Sequence, residues 1–312
     1  MKVFYGLDNL PEFKHAVLTI GTYDGVHFGH QQIIKRLNEL ATNIHGESIL
    51  LTFDPHPRLI LNPDENKLKL ISTIDEKIEL LASFGLQNLV IAEFSKTFSD
   101  MPAVDYVRDI LVAKFHPQYI IVGHDHRFGK NRIGDIYLLE KLAAKYDYQV
   151  EELPAQSIDE IAVSSTKVRN FLLEGNIKEA NQLLLHPFSL TGKVIHGDKV
   201  GRILGFPTAN IDISNKYKLI PASGVYAVKV DLENQTYFGA LSIGYRESVF
   251  ENSKLTIEVF ILDYDGDLYN KELKMVFVDY LRPQIKYENW ELLKIQIEKD
   301  VEKIRELIFK SN

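Results

Sequence analysis

Gly21-Thr22-Tyr23-Asp24-Gly25-Val26-His27-Phe28-Gly29-His30 stands between two segments of opposite grammar. Before it, Ala16-Val17-Leu18-Thr19-Ile20 is a short apolar run that reads as a buried strand. After it, Gln31 to Ala41 carries its apolar residues at helical spacing. A strand, a glycine-rich turn and a helix therefore open the chain as an α/β unit. The turn brings His27 and His30 to a helix N-terminus, where free backbone N–H groups and the helix dipole attract anions. Gly29, between them, has no Cβ to obstruct an approaching phosphate. The pattern predicts a nucleoside triphosphate site. An isolated H-x-G-H is weak, and in a solvated loop it means little. Its position between strand and helix, with Gly21, Gly25 and Gly29 around it, favours phosphate. Zinc is disfavoured, because the chain has no cysteine and no H-E-x-x-H helix.

A length of 312 residues suits two domains. Hydrophobic residues at 45% and charged residues at 25% are ordinary globular values, so neither disorder nor a membrane protein is indicated. The formal charge of −7 argues against a general nucleic-acid binder. The absence of cysteine excludes disulfides and thiol chemistry and fits a reducing compartment. Met1 to Gly6 has no signal-peptide core, and no apolar run approaches a membrane span. The expectation is a cytoplasmic protein with small-molecule substrates and neither nucleic-acid nor membrane partner; a homo-oligomer is allowed.

Up to about residue 185 strands and helices alternate. Ser48 to Phe53 reads as a strand ended by Asp54-Pro55-His56-Pro57, and Thr73-Ile74-Asp75-Glu76 as a capping box opening a helix that stops at Gly85. Leu89 to Ala92 is the next strand and Met101 to Lys114 the next helix. Tyr119 to Val122 then leads into the loop Gly123 to Gly134 and the helix Ile136 to Tyr146. Such an order implies a parallel sheet covered on both faces, with ligands beyond the strands' carboxyl ends. After about residue 190 the pattern becomes alternating. Gly224 to Val230, Tyr237 to Ile243 and Leu255 to Ile261 read as strands. The turn Asp263 to Asp267 leads to a further one ending near Phe277. Glu233-Asn234-Gln235 reads as a turn. Short strands with regular turns predict an antiparallel barrel, followed by an amphipathic helix from Asn289 to Ile308. The border is expected at His186-Pro187-Phe188, giving domains 1–186 and 187–312.

Three further clusters carry chemistry. Gly123-His124-Asp125-His126-Arg127-Phe128-Gly129 mixes a carboxylate, imidazoles and glycines after a strand. Ser164-Ser165-Thr166-Lys167-Val168-Arg169 opens a helix with hydroxyls and two cations; alone it is a plain N-cap, and beside His27 and His30 it suits phosphate oxygens. In the second half, His196-Gly197-Asp198-Lys199-Val200-Gly201-Arg202 precedes Gly205-Phe206-Pro207-Thr208-Ala209-Asn210. Alternation puts Glu258 on the face opposite Ile257, Val259 and Ile261. Arg282, before Pro283, ends a strand-like stretch.

With these residues on view, the chain resembles the bacterial bifunctional riboflavin kinase/FMN adenylyltransferase (FAD synthetase) family over nearly its full length. The resemblance rests on Gly21 to His30, Thr52 to Pro57, Gly123 to Gly129, Ser164 to Arg169, Gly205 to Asn210, Gly224 to Val228, Glu258 and Asp267-Leu268-Tyr269. It implies a Rossmann-like nucleotidyltransferase domain followed by a kinase barrel, with FMN made from riboflavin and ATP and then FAD from FMN and ATP. By its motifs, Gly21, Tyr23, Asp24, Gly25, His27, Gly29, His30, Asp125, Gly129, Ser164, Ser165, Thr166 and Arg169 would hold the adenylyltransferase's ATP. Of these, His27, His30 and Arg169 would act in catalysis. Gly197, Gly205, Phe206, Pro207, Thr208 and Asn210 would hold the kinase's ATP, with Mg²⁺ on Thr208 and Asn210. Glu258 would be the general base, and Glu258 and Arg282 would meet the flavin.

The chemistry divides in the same way. FMN's phosphate is an ionised nucleophile near neutral pH, its second pKa being about 6, so adenylyl transfer needs alignment and charge stabilisation and no base. Riboflavin offers a neutral alcohol, and a carboxylate base has a task there. The chain also departs from the family pattern. Tyr23 and His126 stand where phenylalanine is usual. Ser242-Ile243-Gly244 replaces Asn-Ile-Gly, and Glu247-Ser248-Val249 replaces Pro-Thr-Phe. Phe260 replaces a histidine and Gln284 an acid. These leave room for an FMN adenylyltransferase whose barrel senses flavin with weak or no kinase activity. A nucleotidyltransferase for another acceptor is disfavoured by the second domain. A tRNA synthetase fragment is disfavoured by acidity and the lack of an anticodon-binding region.

Overall fold

The computed structural model describes residues 1–61, 68–158, 161–197, 201, 205–233, 235–246 and 254–311. Of the motif and turn residues read above, Asp198-Lys199-Val200, Arg202, Asn234 and Glu247-Ser248-Val249 lie outside the described residues. Contacts divide the chain into two compact units, Met1–Ser165 and Thr166–Asn312.

The first unit is a six-stranded sheet in the order β1-β4-β3-β2-β5-β6. Its strands are β1 Lys2–Tyr5, β2 Val17–Ile20, β3 Ser48–Asp54, β4 Asn88–Glu93, β5 Tyr119–Gly123 and β6 Gln149–Leu153, and every pairing is parallel. Alternate residues serve opposite faces, as a strand's two-residue period requires. Leu18, Ile20, Ile49, Leu51, Val90 and Ile120 enter one buried cluster, whereas Val17, Leu50, Leu89, Ile91 and Ile121 enter the other. Helix α1, Phe28–Asn43, covers the second face through Ile34, Leu37, Leu40 and Ala41. Helix α2, Ile74–Ser83, opens on the expected capping box: Glu76 N donates to Thr73 Oγ1 at 3.2 Å and Thr73 N to Glu76 Oε2 at 2.9 Å. The helix expected from Met101 to Lys114 spans three consecutive elements, Ala103–Asp105, the π-wound Tyr106–Val112 and Ala113–Phe115. Helix α3, Ile136–Tyr146, has the expected bounds. From β2 the chain steps outward to β3 and β4, then returns to β5 on the other side of β2. This reversal creates a crevice at the carboxyl ends of β2 and β5, from which the turn 21–30 and the loop 123–129 both depart.

The second unit is a closed six-stranded barrel. Its strands are β7 Ser189–Ile195, β8 Thr208–Asp212, β9 Gly224–Leu232, β10 Gln235–Arg246, β11 Lys254–Ile261 and β12 Glu272–Arg282; all are antiparallel to their neighbours. Ile257, Val259, Ile261, Leu241 and Ile243 fill the interior. The outer residues Phe238, Ala240, Phe260, Val278 and Leu281 pack with Val301, Ile304, Leu307 and Ile308 of the C-terminal helix, Trp290–Ser311.

The compact division falls about twenty residues before the border expected at 186. Helix α4, Ser165–Glu174, begins at the division, and helix α5, Ile177–Leu184, belongs to the barrel unit. The reason is local: α5 buries Ile177, Ala180, Leu183 and Leu184. Asn181 donates to the Phe277 carbonyl and accepts from Phe188 N at 2.7 Å, stitching α5 to the strands.

Candidate active site

In the first unit the turn after β2 is backbone-strained. Val26 and Tyr23 both hold positive φ, 41° and 47°, a region costly for β-branched and bulky side chains. The surroundings hold them there. The Tyr23 and Thr19 hydroxyls meet at 3.0 Å in the core, so the tyrosine that replaces a phenylalanine brings its polar atom to a partner. Gln31 Nε2 donates to Val26 O at 2.8 Å. A Cβ on Gly21 would lie 2.9 Å from the Tyr23 ring, so the glycine makes room for that ring.

His27 caps α1 with its backbone, and the two imidazoles stack at 3.7 Å between centroids and 18°. Tyr23 covers the other side of His30 at 4.5 Å. Burial, the neighbouring His27 and the Lys77 ammonium hold the His30 pKa well below the usual histidine range. The His30 ring thus presents itself as a neutral N–H group. A Cβ on Gly29 would sit 3.4 Å from the His27 ring.

Asp24 has a task within the fold itself. Its buried carboxylate accepts from the amides of Ile71, at 2.9 Å, and Ser72, at 3.1 Å. Gly25 N donates to Ser72 Oγ at 3.0 Å, and at φ +80° a Cβ on Gly25 would strike Ile71 at 2.8 Å. Asp24 and Gly25 thereby clamp the segment leading into α2 against the histidine turn. Ser165 lies beside this turn, its Oγ donating to the Asp24 carbonyl at 3.0 Å. Thr166 and Arg169 follow on α4, Arg169 one turn beyond Ser165.

In the loop after β5, Asp125 is exposed and Gly129, at φ +69°, lies so close to Ala103 that a Cβ would meet its backbone at 2.6 Å. His126 joins an aromatic row that runs through Phe128, Tyr106, Phe98 and Phe53, with centroids 5.5 to 5.9 Å apart. That apolar setting explains why phenylalanine suits the position. It also pushes the His126 pKa down to about 4, burial outweighing nearby Asp125. Unfolded, this ring would take a proton near pH 6.5; folded, it does so only near 4. Between those values the unfolded chain binds more protons, so stability is full above 6.5 and falls as the pH drops towards 4. His126→Phe is expected to recover about 1–2 kcal/mol at pH 5 relative to pH 7. Urea unfolding at the two pH values, followed on the transition of the first unit, measures it.

In the barrel, Glu258 lies in register with Asn210 of β8 on one side and Ser242 of β10 on the other. Thr208 Oγ1 donates to Glu258 Oε2 at 2.9 Å. Directly opposed residues share a face, so Asn210, Glu258 and Ser242 line the barrel's outer surface, away from Ile257 and Val259. Gly197 is needed for Asn210: a Cβ there would fall 2.1 Å from the Asn210 amide nitrogen. Gly205 turns the chain at φ +86°, and Phe206 closes that turn through Phe206 N to Gly201 O at 2.9 Å. Pro207 leads from it into β8. The Phe206 ring meets Phe260 edge-on at 5.3 Å, an apolar contact that the usual histidine would not make as well. The remaining two departures from the family meet each other, as Gln284 Nε2 donates to Ser242 Oγ. Arg282 is engaged with Asp300 of the C-terminal helix through Nε and Nη2, at 3.0 and 2.8 Å. Those side chains are 12% and 3% exposed, so the guanidinium that the resemblance places at the flavin also docks that helix. His196 and Tyr269 stack at 4.1 Å, joining two motif segments.

Fold and sites together define a two-unit transferase, a nucleotide-binding parallel sheet followed by a barrel with a carboxylate beside a Thr-x-Asn strand. Comparison sharpens this. Residues 10–167 match the model of the FAD synthetase family, and residues 184–308 that of riboflavin kinase. The Listeria monocytogenes bifunctional riboflavin kinase/FMN adenylyltransferase is 37% identical over 93% of this chain and 92% of its own length. The enzyme of the same description from Pseudomonas fluorescens is 36% identical over 98% of both. A Streptococcus pneumoniae crystal structure described as a macrolide-efflux protein superposes with a TM-score of 0.88 at 27% identity, over 98% of this chain and 99% of that one. No helix among the described residues is long and apolar enough to cross a membrane. The chain belongs to the bifunctional riboflavin kinase/FMN adenylyltransferase family.

Proposed function

We propose that the two sites divide the two steps of flavin cofactor synthesis between them. The barrel transfers the γ-phosphoryl group of ATP to riboflavin and yields FMN; the parallel-sheet unit transfers the adenylyl group of a second ATP to FMN and yields FAD and pyrophosphate. The observation that carries this division is where the carboxylates are. Glu258 sits half-buried, accepting a hydrogen bond from Thr208 in register with Asn210, while the Asp24 carboxylate accepts from backbone amides. A neutral alcohol needs a base, and an ionised phosphate does not.

In the kinase step, Glu258 accepts the proton of riboflavin's primary hydroxyl as its oxygen attacks the γ-phosphorus, and ADP leaves. Thr208 holds the carboxylate in place. The donors near it suit Mg²⁺: a hydroxyl and an amide oxygen are hard ligands, and this ion takes few protein oxygens, relying on substrate phosphates and water for the rest. Thr208 and Asn210 would hold it, and when bound it neutralises charge on the nucleotide phosphates. The Gly197 and Gly205 to Pro207 segments shape the wall against which ATP lies.

In the adenylyl step, FMN's phosphate oxygen attacks the α-phosphorus and pyrophosphate departs. His27 and His30 donate to phosphate oxygens on which charge grows, from rings already stacked in place. Ser164, Ser165, Thr166 and Arg169 supply a second set of donors, and Tyr23, Gly21, Gly25 and Gly29 keep the turn open to the nucleotide. Asp125 and Gly129 belong to the facing loop.

Purified chain incubated with riboflavin, ATP and Mg²⁺, its flavins separated by chromatography, is expected to accumulate FMN and then FAD. Formation of FAD from supplied FMN alone would favour the second reading, a flavin-sensing barrel, for which the Ser242–Gln284 contact beside Glu258 is the motive. Formation of neither product would overturn both.

A further inference from the structure

The first unit holds a charged side chain that the mechanism above leaves unused. Lys77 lies on α2 at the spacing of its apolar face, with Ile74, Ile78 and Leu81, and is only 5% exposed. Its ammonium makes no hydrogen bond and no ion pair within 4 Å among the described residues. Burying a lysine in this way is costly, and such groups are normally paired. The carboxylates whose charge reaches it are Asp24 and Asp54. Asp24 already bonds the Ile71 and Ser72 amides, and Asp54 ends β3 at the same edge of the sheet. On the other side its charge reaches His30. The clamp between Asp24, Gly25, Ile71 and Ser72 fixes the start of α2 to the histidine turn, so the position of Lys77 is built in.

We propose that Lys77 is a substrate-contacting residue of the adenylyltransferase site, its ammonium taking a phosphate oxygen of the bound anion. The chemistry it recognises is a phosphate oxyanion, which either the ATP triphosphate or the FMN phosphomonoester supplies. This rests on the histidine turn being the triphosphate site. An incoming phosphate would give the ammonium the close anionic partner it lacks, and would do so next to His30, where charge is to be stabilised. A lysine suits this work as a compact cation on a flexible stem.

The test uses the full chain with Lys77→Met, Lys77→Arg and His30→Ala. Methionine fills the space without the charge, and arginine restores the charge with a different shape. FAD formation from FMN is measured with ATP and FMN varied in turn, beside riboflavin phosphorylation and thermal unfolding. Lys77→Met is expected to lower kcat/KM for FAD formation about a hundredfold. Lys77→Arg should recover about tenfold of that, with riboflavin phosphorylation unchanged and the melting temperature not lowered. A rise in KM for ATP alone assigns the contact to the triphosphate, and a rise for FMN alone assigns it to the acceptor; either supports the proposal. Wild-type kcat/KM in Lys77→Met overturns it. So do equal losses in both lysine variants with a lowered melting temperature, which would mark the residue as structural. His30→Ala separates the two ideas: if it abolishes FAD formation while Lys77→Met does not, only the lysine role fails. If neither variant matters, the triphosphate reading of the turn fails as well.

Discussion

Glu258→Gln is expected to slow riboflavin phosphorylation about a thousandfold while leaving FAD formation from supplied FMN at its wild-type rate. The substitution is chosen for what it keeps. Thr208 Oγ1 donates to Glu258 Oε2, and a glutamine oxygen accepts the same bond. Its β-strand register with Asn210 and Ser242 depends on backbone alone. The hydrophobic interior is untouched, because Glu258 faces outward while Ile257, Val259 and Ile261 fill the barrel. What is lost is the ability to take a proton from an alcohol, which general-base catalysis values at about a hundred- to ten-thousandfold. Chromatographic rates with riboflavin and with FMN as alternative substrates, on one preparation, give both numbers. An unaltered rate of FMN formation would remove Glu258 from the reaction. A matching fall in FAD formation from FMN would show that the change acted through the fold.

How far the sequence could be read depended on whether the information was local. The strand before Gly21, the helix after His30 and the capping box at Thr73 were all legible, since each rests on residues within a few positions. The alternation from Leu255 to Ile261 likewise placed Glu258 on the outer face, where the structure has it. What escaped was long-range. Asp24 bonds amides 47 and 48 residues away, so its motif position could not show that its carboxylate is already used. Arg282 reads as a lone cation before a proline, and its partner Asp300 comes from a helix whose docking no spacing reveals. Strand β1 is four residues long and partly exposed, too short for periodicity to register. Neither the strand Ser189–Ile195 nor α5 is among the expected elements, although four buried residues hold α5 to the barrel. Lys77 was different. Ile74, Ile78 and Leu81 define the inward face of α2, and a lysine in that series was a visible exception that helical spacing alone would have flagged.

His30→Ala is expected to reduce FAD formation from FMN by about a hundred- to a thousandfold and to leave riboflavin phosphorylation unchanged, so that the variant stops at FMN. The ring occupies a narrow slot, 3.7 Å from His27 and 4.5 Å from Tyr23. Its buried Nδ1 has no hydrogen-bond partner among the described residues. A polar atom left so in a buried place is expensive, and a bound phosphate would satisfy it. Because burial, His27 and Lys77 keep the ring neutral, its contribution is a placed N–H and not a full positive charge. That distinction can be measured. His30→Asn keeps a neutral donor without the imidazole and should retain about tenfold more activity than His30→Ala. Were an imidazolium required, asparagine would be as poor as alanine. The pH profile gives a second view. A neutral His30 does not titrate between pH 6 and 8, so the acid limb of kcat/KM for FMN should follow the phosphomonoester's own pKa of about 6. An acid limb that disappears in His30→Asn, with FMN unchanged, would instead assign that ionisation to the histidine. Collapse of the slot is the remaining concern, and circular dichroism with thermal unfolding of His30→Ala checks it. A folded variant at full FAD-forming rate would leave the stacked imidazoles without a part in adenylyl transfer.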